Sequence, residues 1–208
     1  MKSGMFITFE GIDGSGKSTQ AKALASSLKK NGIDSILTRE PGGSSGAEII
    51  RKLLVEGDPS RWSPETEMLL FTAARRDHLE KTIEPSLREG KIVISDRYVD
   101  STRVYQGVTR GDLRHTVDKL HNLMISKEPD LTFIIDMDPK QALYRGLARG
   151  SGEDRFEDFG LEFQLKLRNG FLDLKNSFPQ RCHIIDGSNT PQQISLEILN
   201  IVNNILND

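Results

Sequence analysis

The chain holds a single cysteine, Cys182, among its 208 residues. An intrachain disulfide and a multi-cysteine zinc site are therefore excluded, since each needs more than one thiolate. No stretch approaches the ~18 consecutive apolar residues of a membrane-spanning helix, so no membrane partner is expected. The opening run from Met1 to Phe9 meets Glu10 before an apolar segment of leader length can form. No secretory signal is expected, and the chain is taken as a reduced, cytoplasmic protein. An excess of charge is also missing: 28 Lys+Arg stand against 30 Asp+Glu, a net of −2. With no basic block, nucleic acid is not expected as the main partner. The 4 histidines, His78, His115, His121 and His183, fit no metal-ligand spacing and are taken as core or surface residues. Repeats, low-complexity tracts and linkers are absent. Apolar residues make up 36% and charged residues 28%. That composition fits one globular domain over residues 1–208, with room for a small lid.

What the chain does have is an alternation of apolar runs and amphipathic segments. Met5–Phe9 predicts a strand, and Ser18–Asn31 a helix with Ala21, Leu24, Ala25 and Leu28 on one face and Gly32 after it. Ile33–Thr38 predicts a second strand. Ser45 with Glu48 predicts a capping box opening a helix through Leu54. Ser63-Pro64 predicts a capped start for a helix running to about Lys81, with Pro85 as a break or restart. Lys91–Ser95 predicts a buried strand, Asp112 a cap for a helix with Leu113, Val117, Leu120 and Met124 inward, and Leu131–Ile135 another strand. Helices are expected at Asp138–Arg149 and Leu161–Ser177, a last strand at His183–Ile185, and a final helix capped by Thr190-Pro191. The rhythm predicts an α/β fold: a mostly parallel five-stranded sheet with helices on both faces. Ligands of such folds sit beyond the carboxyl ends of the strands. Those ends carry Glu10/Gly11, Thr38–Glu40, Ser95–Arg97 and Asp136–Asp138, so one sheet edge is the candidate site.

Gly11-Ile12-Asp13-Gly14-Ser15-Gly16-Lys17-Ser18 matches G-x-x-x-x-G-K-[ST]. A chance match in a chain of this composition has a probability on the order of 1%, and here the motif also follows a strand and opens a helix. The glycines let successive N–H groups curl toward phosphate oxygens, and the helix adds its positive end. Lys17 is placed for the β- and γ-phosphates, and the Ser18 hydroxyl for Mg²⁺. This is the phosphate loop of a P-loop NTPase-type fold. It does not by itself separate a kinase from a GTPase or a motor, although the guanine-selective N-K-x-D is absent. Arg39-Glu40-Pro41-Gly42-Gly43 follows the second strand and Asp96-Arg97-Tyr98 the third. An arginine at a strand end beside the loop can fork two donors onto a second phosphate, or pair with Asp96 or Glu40.

These pieces resemble the thymidylate kinase family. The resemblance rests on residues 9–20, Arg39–Gly43, Leu70-Phe71-Thr72-Ala73-Ala74-Arg75, Asp96-Arg97-Tyr98, Ser101–Gly107 and Asp154-Arg155-Phe156-Glu157, in the family's order. It implies transfer of the ATP γ-phosphate to dTMP, giving dTDP and ADP with Mg²⁺ on the route to dTTP, by a homodimer. It implies that Gly11, Ile12, Asp13, Gly14, Ser15, Gly16, Lys17, Ser18 and Thr19 form the donor site. Asp13 would help hold metal and acceptor phosphate, with Ser18 and Asp96 as further metal neighbours. Arg97 would bind the acceptor phosphate, Phe71 would stack on thymine, and Arg75 would read its exocyclic oxygen. Thr102 and Gln106 would lie near the base, and Tyr105 would crowd the place of a ribose 2′-OH. Glu40 and Arg51 would neighbour the acceptor. Phe71 and Arg75 are four apart on a predicted helix and so share a face; alone, Phe71 would pass for a core residue. The readings that remain beside it are a kinase with another acceptor, such as dUMP, and a nucleotide-gated binding switch.

One subgroup of the family carries an arginine in the loop where this chain has Gly14. Charge must then reach the γ-phosphate from elsewhere. The resemblance places it in a lid at about residues 150–158, on Arg155 with Arg149, while Arg145 would line the adenine side. An arginine installed at Gly14 is expected to restore part of the rate lost with Arg155. Arg103 and Val104 depart from the family pattern, as does Lys140; Arg103 is expected either near the nucleoside or in solvent.

Overall fold

The computed structural model describes residues 4–58, 61–109, 112–147 and 160–207. Among these, five strands form one parallel sheet in the order β2-β3-β1-β4-β5. They are β1 (Phe6–Glu10), β2 (Ser35–Arg39), β3 (Ile92–Asp96), β4 (Leu131–Asp136) and β5 (Cys182–Asp186). The central β1 is buried along its whole length, which is why its sequence does not alternate. Helices α1 (Lys17–Lys30) and α9 (Pro191–Asn207) cover one face, packing Leu24, Leu28, Ile194, Ile198 and Val202 on Ile7, Phe9 and Phe133. On the other face, two further clusters surround Phe6 and Ile134.

The registers bring the functional strand ends level. Phe9 of β1 pairs with Asp96 of β3 and with Phe133 of β4, and Arg39 of β2 pairs with Asp96. The loops after β1, β2 and β3 therefore meet at one edge, as the strand pattern predicts.

Several local expectations are corrected. Helix α2 (Ser45–Val55) starts after Ser44, not through a Ser45–Glu48 box. Asp77 accepts from the Gly46 and Ala47 amides instead, and Glu48 turns back to accept from Gly43 N. Helix α3 (Pro64–His78) does open on Ser63, whose hydroxyl accepts from Thr66 N. Its regular turns end at His78, short of Lys81, and the restart expected at Pro85 is present. It passes through one wide turn, Leu79–Ile83, into α4 (Glu84–Arg88), because Pro85 falls in the first turn of α4, where a missing N–H costs little. Helix α6 (Arg114–Met124) starts after Leu113; Asp112 is exposed and does not cap it. Of its expected inward residues only Val117 is buried, and Met124 is 43% exposed. Helix α5 (Val99–Val104), followed by a wide turn at Tyr105–Thr109, was not predicted. Its polar residues are buried, so no amphipathic stripe announces it. Helices α7 (Pro139–Leu147) and α8 (Gly160–Ser177) complete the described chain. Asp138 caps α7 by accepting from Lys140 N and Gln141 N.

Candidate active site

The loop between β1 and α1 is shaped by glycines at positive φ: Gly11 at 134°, Gly14 at 82° and Gly16 at 103°. Its amides are the notable feature. Those of Asp13, Gly14, Gly16, Lys17 and Ser18 donate to no backbone acceptor among the described residues. Ser15 Oγ is buried and has no partner there either. Unpaired donors packed this closely at a helix start form a nest for an anion. Lys17 lies in it, donating to Ile12 O at 2.8 Å and standing 3.8 Å from Asp13 Oδ1. Burial and the like charge of Arg97 push its ammonium down to about 8, against the pull of Asp13, Asp96 and Glu10. A bound polyanion would reverse that.

Gly14 answers the question of the missing loop arginine. A Cβ there would lie 2.0 Å from the carbonyl oxygen of Ala142 in α7. The expected rescue by an arginine at this position is therefore withdrawn: no side chain fits without moving the α7 backbone.

Facing the loop, the turn after β3 holds Arg97 at φ 70°, a left-handed conformation that costs a non-glycine residue about 1–2 kcal/mol. The turn is pinned by Arg97 N donating to Phe9 O and by Ser95 Oγ donating to Arg97 O. The guanidinium is bonded to Asp13, to Ser101 Oγ at 2.8 Å and to Gly11 O at 3.2 Å. Tyr105 closes the group: its hydroxyl donates to Asp13 Oδ2 at 2.8 Å and accepts from Arg97 Nη2 at 3.2 Å. Burial would raise the Asp13 carboxyl, but Arg97, Lys17 and the Tyr105 hydroxyl outweigh it and hold it well below the usual carboxylate range. Asp13 is thus an anion throughout the neutral range. Tyr105 is expected beside a ribose; its hydroxyl lies at the Asp13–Arg97 pair.

Beneath the pair, Glu10 accepts from Tyr98 N at 2.8 Å and from Ser101 Oγ at 2.6 Å. Its burial and the nearby Asp100 push it up to about 8, although Arg97, Ser101 and Tyr98 resist.

The second half of the site lies along α3 and α5. Arg75 is 3% exposed; its Nε donates to Glu40 Oε2 at 2.7 Å and its Nη2 to Thr102 Oγ1 at 3.1 Å. Gln106 Nε2 donates to Glu67 Oε2 at 3.1 Å. Phe71, one turn before Arg75, is half-buried. Arg51 donates to Pro41 O at 2.6 Å. The structure so brings Glu40, Arg51, Phe71, Arg75, Thr102, Tyr105 and Gln106 to the loops beside Arg97. Arg145 is exposed on α7. Arg149, Arg155 and the expected lid lie outside the described residues.

Arg103 is corrected. It neither faces a nucleoside nor points to solvent, but is buried against Asp100, Asp118 and Glu128. Val104 faces Gly170 of α8. Sequence reasoning names Glu10 and Thr38 only as strand-end residues of the candidate edge, and gives no site role to Glu67, His78 and Ser101. For Glu67 and His78 a signal existed: with Phe71 and Arg75 they recur at helical spacing on one face of α3.

For Mg²⁺ the oxygen donors fit. Ser18 Oγ and the Asp96 carboxylate make no hydrogen bond among the described residues, and Asp13 is ionised beside them. Mg²⁺ characteristically takes one or two carboxylates and completes its shell with waters and substrate phosphates.

The family described as thymidylate kinase matches residues 9–198. The chain is 67% identical to the thymidylate kinase of Dinoroseobacter shibae, over 94% of this chain and 95% of that one. It is 60% identical to that of Ruegeria pomeroyi, over 98% and 97%. The crystal structure of thymidylate kinase from Ehrlichia chaffeensis superposes with a TM-score of 0.79 at 38% identity, over 96% of this chain and 99% of that one.

Proposed function

The chain belongs to the thymidylate kinase family, and on that premise we propose how its own residues divide the transfer of the ATP γ-phosphate to dTMP. The products are dTDP and ADP, on the route to dTTP. One kinase domain carries the reaction. The unpaired amides of Asp13, Gly14, Gly16, Lys17 and Ser18 cradle the ATP phosphates, with Gly11, Ile12 and Thr19 around them. Lys17 turns from the Ile12 carbonyl to the β- and γ-phosphates. Ser18, Asp13 and Asp96 would hold Mg²⁺, which would supply positive charge to offset that of the phosphates. Arg97, steadied by Asp13 and Ser101, forks onto the acceptor phosphate.

Phe71 stacks on thymine, a contact worth about 1–3 kcal/mol, and Arg75 donates to the base edge. Thr102 and Gln106 line the base, the Tyr105 ring crowds a 2′-OH, and Glu40 and Arg51 flank the acceptor. Arg155, with Arg149, brings charge to the γ-phosphate from a lid at 150–158, and Arg145 lines the adenine. The protein acts in the cytoplasm as a homodimer on small-molecule substrates, without nucleic acid or membrane. The paired helices α2 and α3 support the dimer by leaving Ile49 67% and Leu69 56% exposed. No helix among the described residues is long and apolar enough to cross a membrane.

The observation that carries this reading is the nest of unpaired amides around Lys17, placed across Asp13 from Arg97. The test is a coupled ADP-release assay with Mg²⁺, ATP and a panel of dTMP, dUMP, dCMP and UMP. ADP release that depends on dTMP and stops with a chelator is expected. Release indifferent to any acceptor would instead mark a nucleotide-gated switch, and preference for another monophosphate would move the acceptor assignment.

A further inference from the structure

His78 ends α3 and is fully buried, yet both of its ring nitrogens are engaged. Nδ1 lies 3.0 Å from Glu40 Oε1, and Nε2 lies 2.7 Å from Thr38 Oγ1. A carboxylate only accepts, so Nδ1 donates to Glu40, and Nε2 shares a hydrogen bond with the Thr38 hydroxyl. The ring is then satisfied on both sides. Glu40 uses its other oxygen for Arg75 Nε, and Arg75 Nη2 reaches Thr102. The result is one hydrogen-bonded chain, Thr38–His78–Glu40–Arg75–Thr102, in which Glu40 accepts from both sides, linking β2, α3 and α5.

The loop after β2 is built around this chain. Gly43 has φ 84°, and a Cβ there would lie 2.4 Å from both Thr38 Oγ1 and His78 Nε2. The second glycine of Arg39-Glu40-Pro41-Gly42-Gly43 thus keeps the Thr38–His78 bond open. The wide turn that begins at Leu79 sends Thr82 Oγ1 back to donate to Gly43 O at 2.7 Å, tying the same loop to α3.

We propose that His78 is a positioning residue for acceptor specificity, setting through Glu40 the direction in which Arg75 presents its free edge to the base. The inference rests on the reading that Arg75 meets the base. Arg75 is fixed by Glu40, by Thr102 and by the Tyr98 ring, 5.2 Å from its guanidinium carbon. Its Nη1 makes no hydrogen bond among the described residues and is the donor left for a ligand. Without His78, one Glu40 oxygen is released. The carboxylate can then turn to bridge Nε and Nη2, the stronger forked pairing. That turn draws the guanidinium from Thr102 and swings Nη1 away.

The test compares His78→Leu, His78→Asn, Thr38→Val and Arg75→Ala by steady-state kinetics. His78→Leu should raise KM for dTMP about 10-fold while KM for ATP stays within about 2-fold, as displacement of a binding group by a fraction of an ångström does. His78→Asn, which can still donate to Glu40, should recover part of this, and Thr38→Val should shift KM the same way but less. His78→Leu combined with Arg75→Ala should be no worse than Arg75→Ala alone. An unchanged KM for dTMP in His78→Leu, or equal shifts for dTMP and ATP, overturns the inference. Should His78→Leu fail to fold, an unchanged KM in Thr38→Val overturns it. If Arg75→Ala itself leaves dTMP untouched, the base-edge reading falls, and the inference with it. If Arg75→Ala weakens dTMP and His78→Leu does not, only the inference falls.

Discussion

Replacing Arg103 with leucine tests whether that residue serves the fold or the substrate. Arg103 is 2% exposed and shares a buried network with Arg181. Its Nε donates to Asp118 at 2.7 Å, its Nη1 to Asp100 at 2.9 Å and its Nη2 to Glu128 at 2.5 Å. Arg181 meets Asp100 with both Nη groups, at 2.6 and 3.0 Å, and Arg114 meets Asp118 at 2.9 Å. Three acids face three arginines, so the network is neutral, and Arg103→Leu leaves it one negative charge in excess. Stripping one partner from a buried ion pair costs about 3–5 kcal/mol. Here the lower end applies, because Asp100 keeps its fork from Arg181 while Glu128 and Asp118 retain roughly a third of their side-chain exposure. At about 3 kcal/mol, and ~2–4 °C per kcal/mol for a chain of this size, Tm should fall by roughly 6–12 °C. Thermal melts give Tm, and initial rates at 25 °C give KM for dTMP, which should stay within about 3-fold. Adding Glu128→Gln removes the excess charge and should recover part of the loss. A native Tm with a large rise in KM for dTMP would refute the reasoning and return Arg103 to the nucleoside.

Lys17→Ala removes the only lysine of the nest and should lower kcat by about 10²–10³-fold or more while leaving the melting curve near native; near-native turnover would remove the phosphate-loop assignment. Gly170→Ala would set a Cβ 2.9 Å from Val104 Cγ1 and should destabilise by about 1–3 kcal/mol. Adding Val104→Ala should relieve that strain, and simple additivity of the two losses in denaturant melts would show that these residues do not share the contact. Glu10 is raised in the folded state to about 8 from 4.5, so between those values the folded chain binds more protons than the unfolded one. Its contribution is complete below about 4.5 and is lost as pH rises toward about 8. Glu10→Gln keeps an acceptor for Tyr98 N and should gain stability relative to the parent as pH climbs from 5 to 8, with a slope approaching ~1.4 kcal/mol per unit; parallel stability curves would contradict the shift.

How far the sequence carries toward this site depends on the reach of each interaction. The phosphate loop was legible outright, since a strand end, glycines and a helix start are neighbours along the chain. The sheet follows from the spacing of apolar runs, and the strand ends meet at one edge as their order requires. The α3 face was half legible. Glu67, Phe71, Arg75 and His78 step by four, four and three residues, so they share a side of the helix whatever it packs against. Composition alone cannot say whether such a side is solvated or buried. The structure places Glu67, Arg75 and His78 in the interior, where each polar group needs a partner supplied by another element.

The partners are what periodicity cannot name. Glu40 lies 35 residues from Arg75 and 38 from His78, and Asp100 lies 81 from Arg181. Arg103 shows the consequence. Its sequence neighbours Thr102 and Tyr105 belong to the candidate acceptor pocket, and as a departure from the family pattern Arg103 is expected either near the nucleoside or in solvent. On a helix of 3.6 residues per turn, the residue directly after Thr102 is rotated by about 100° and cannot share its direction. Arg103 therefore faces α6, the Phe178 ring after α8 and the segment before β4, where acids from three parts of the chain converge. The same step of one residue turns Val104 toward α8, where glycine at position 170 leaves the room its two methyl groups occupy. A single short helix thus presents one side to the candidate acceptor pocket and two to the scaffold. Which residue serves which follows from its angle on the helix, and the identity of its partners follows only from the order of strands in the sheet.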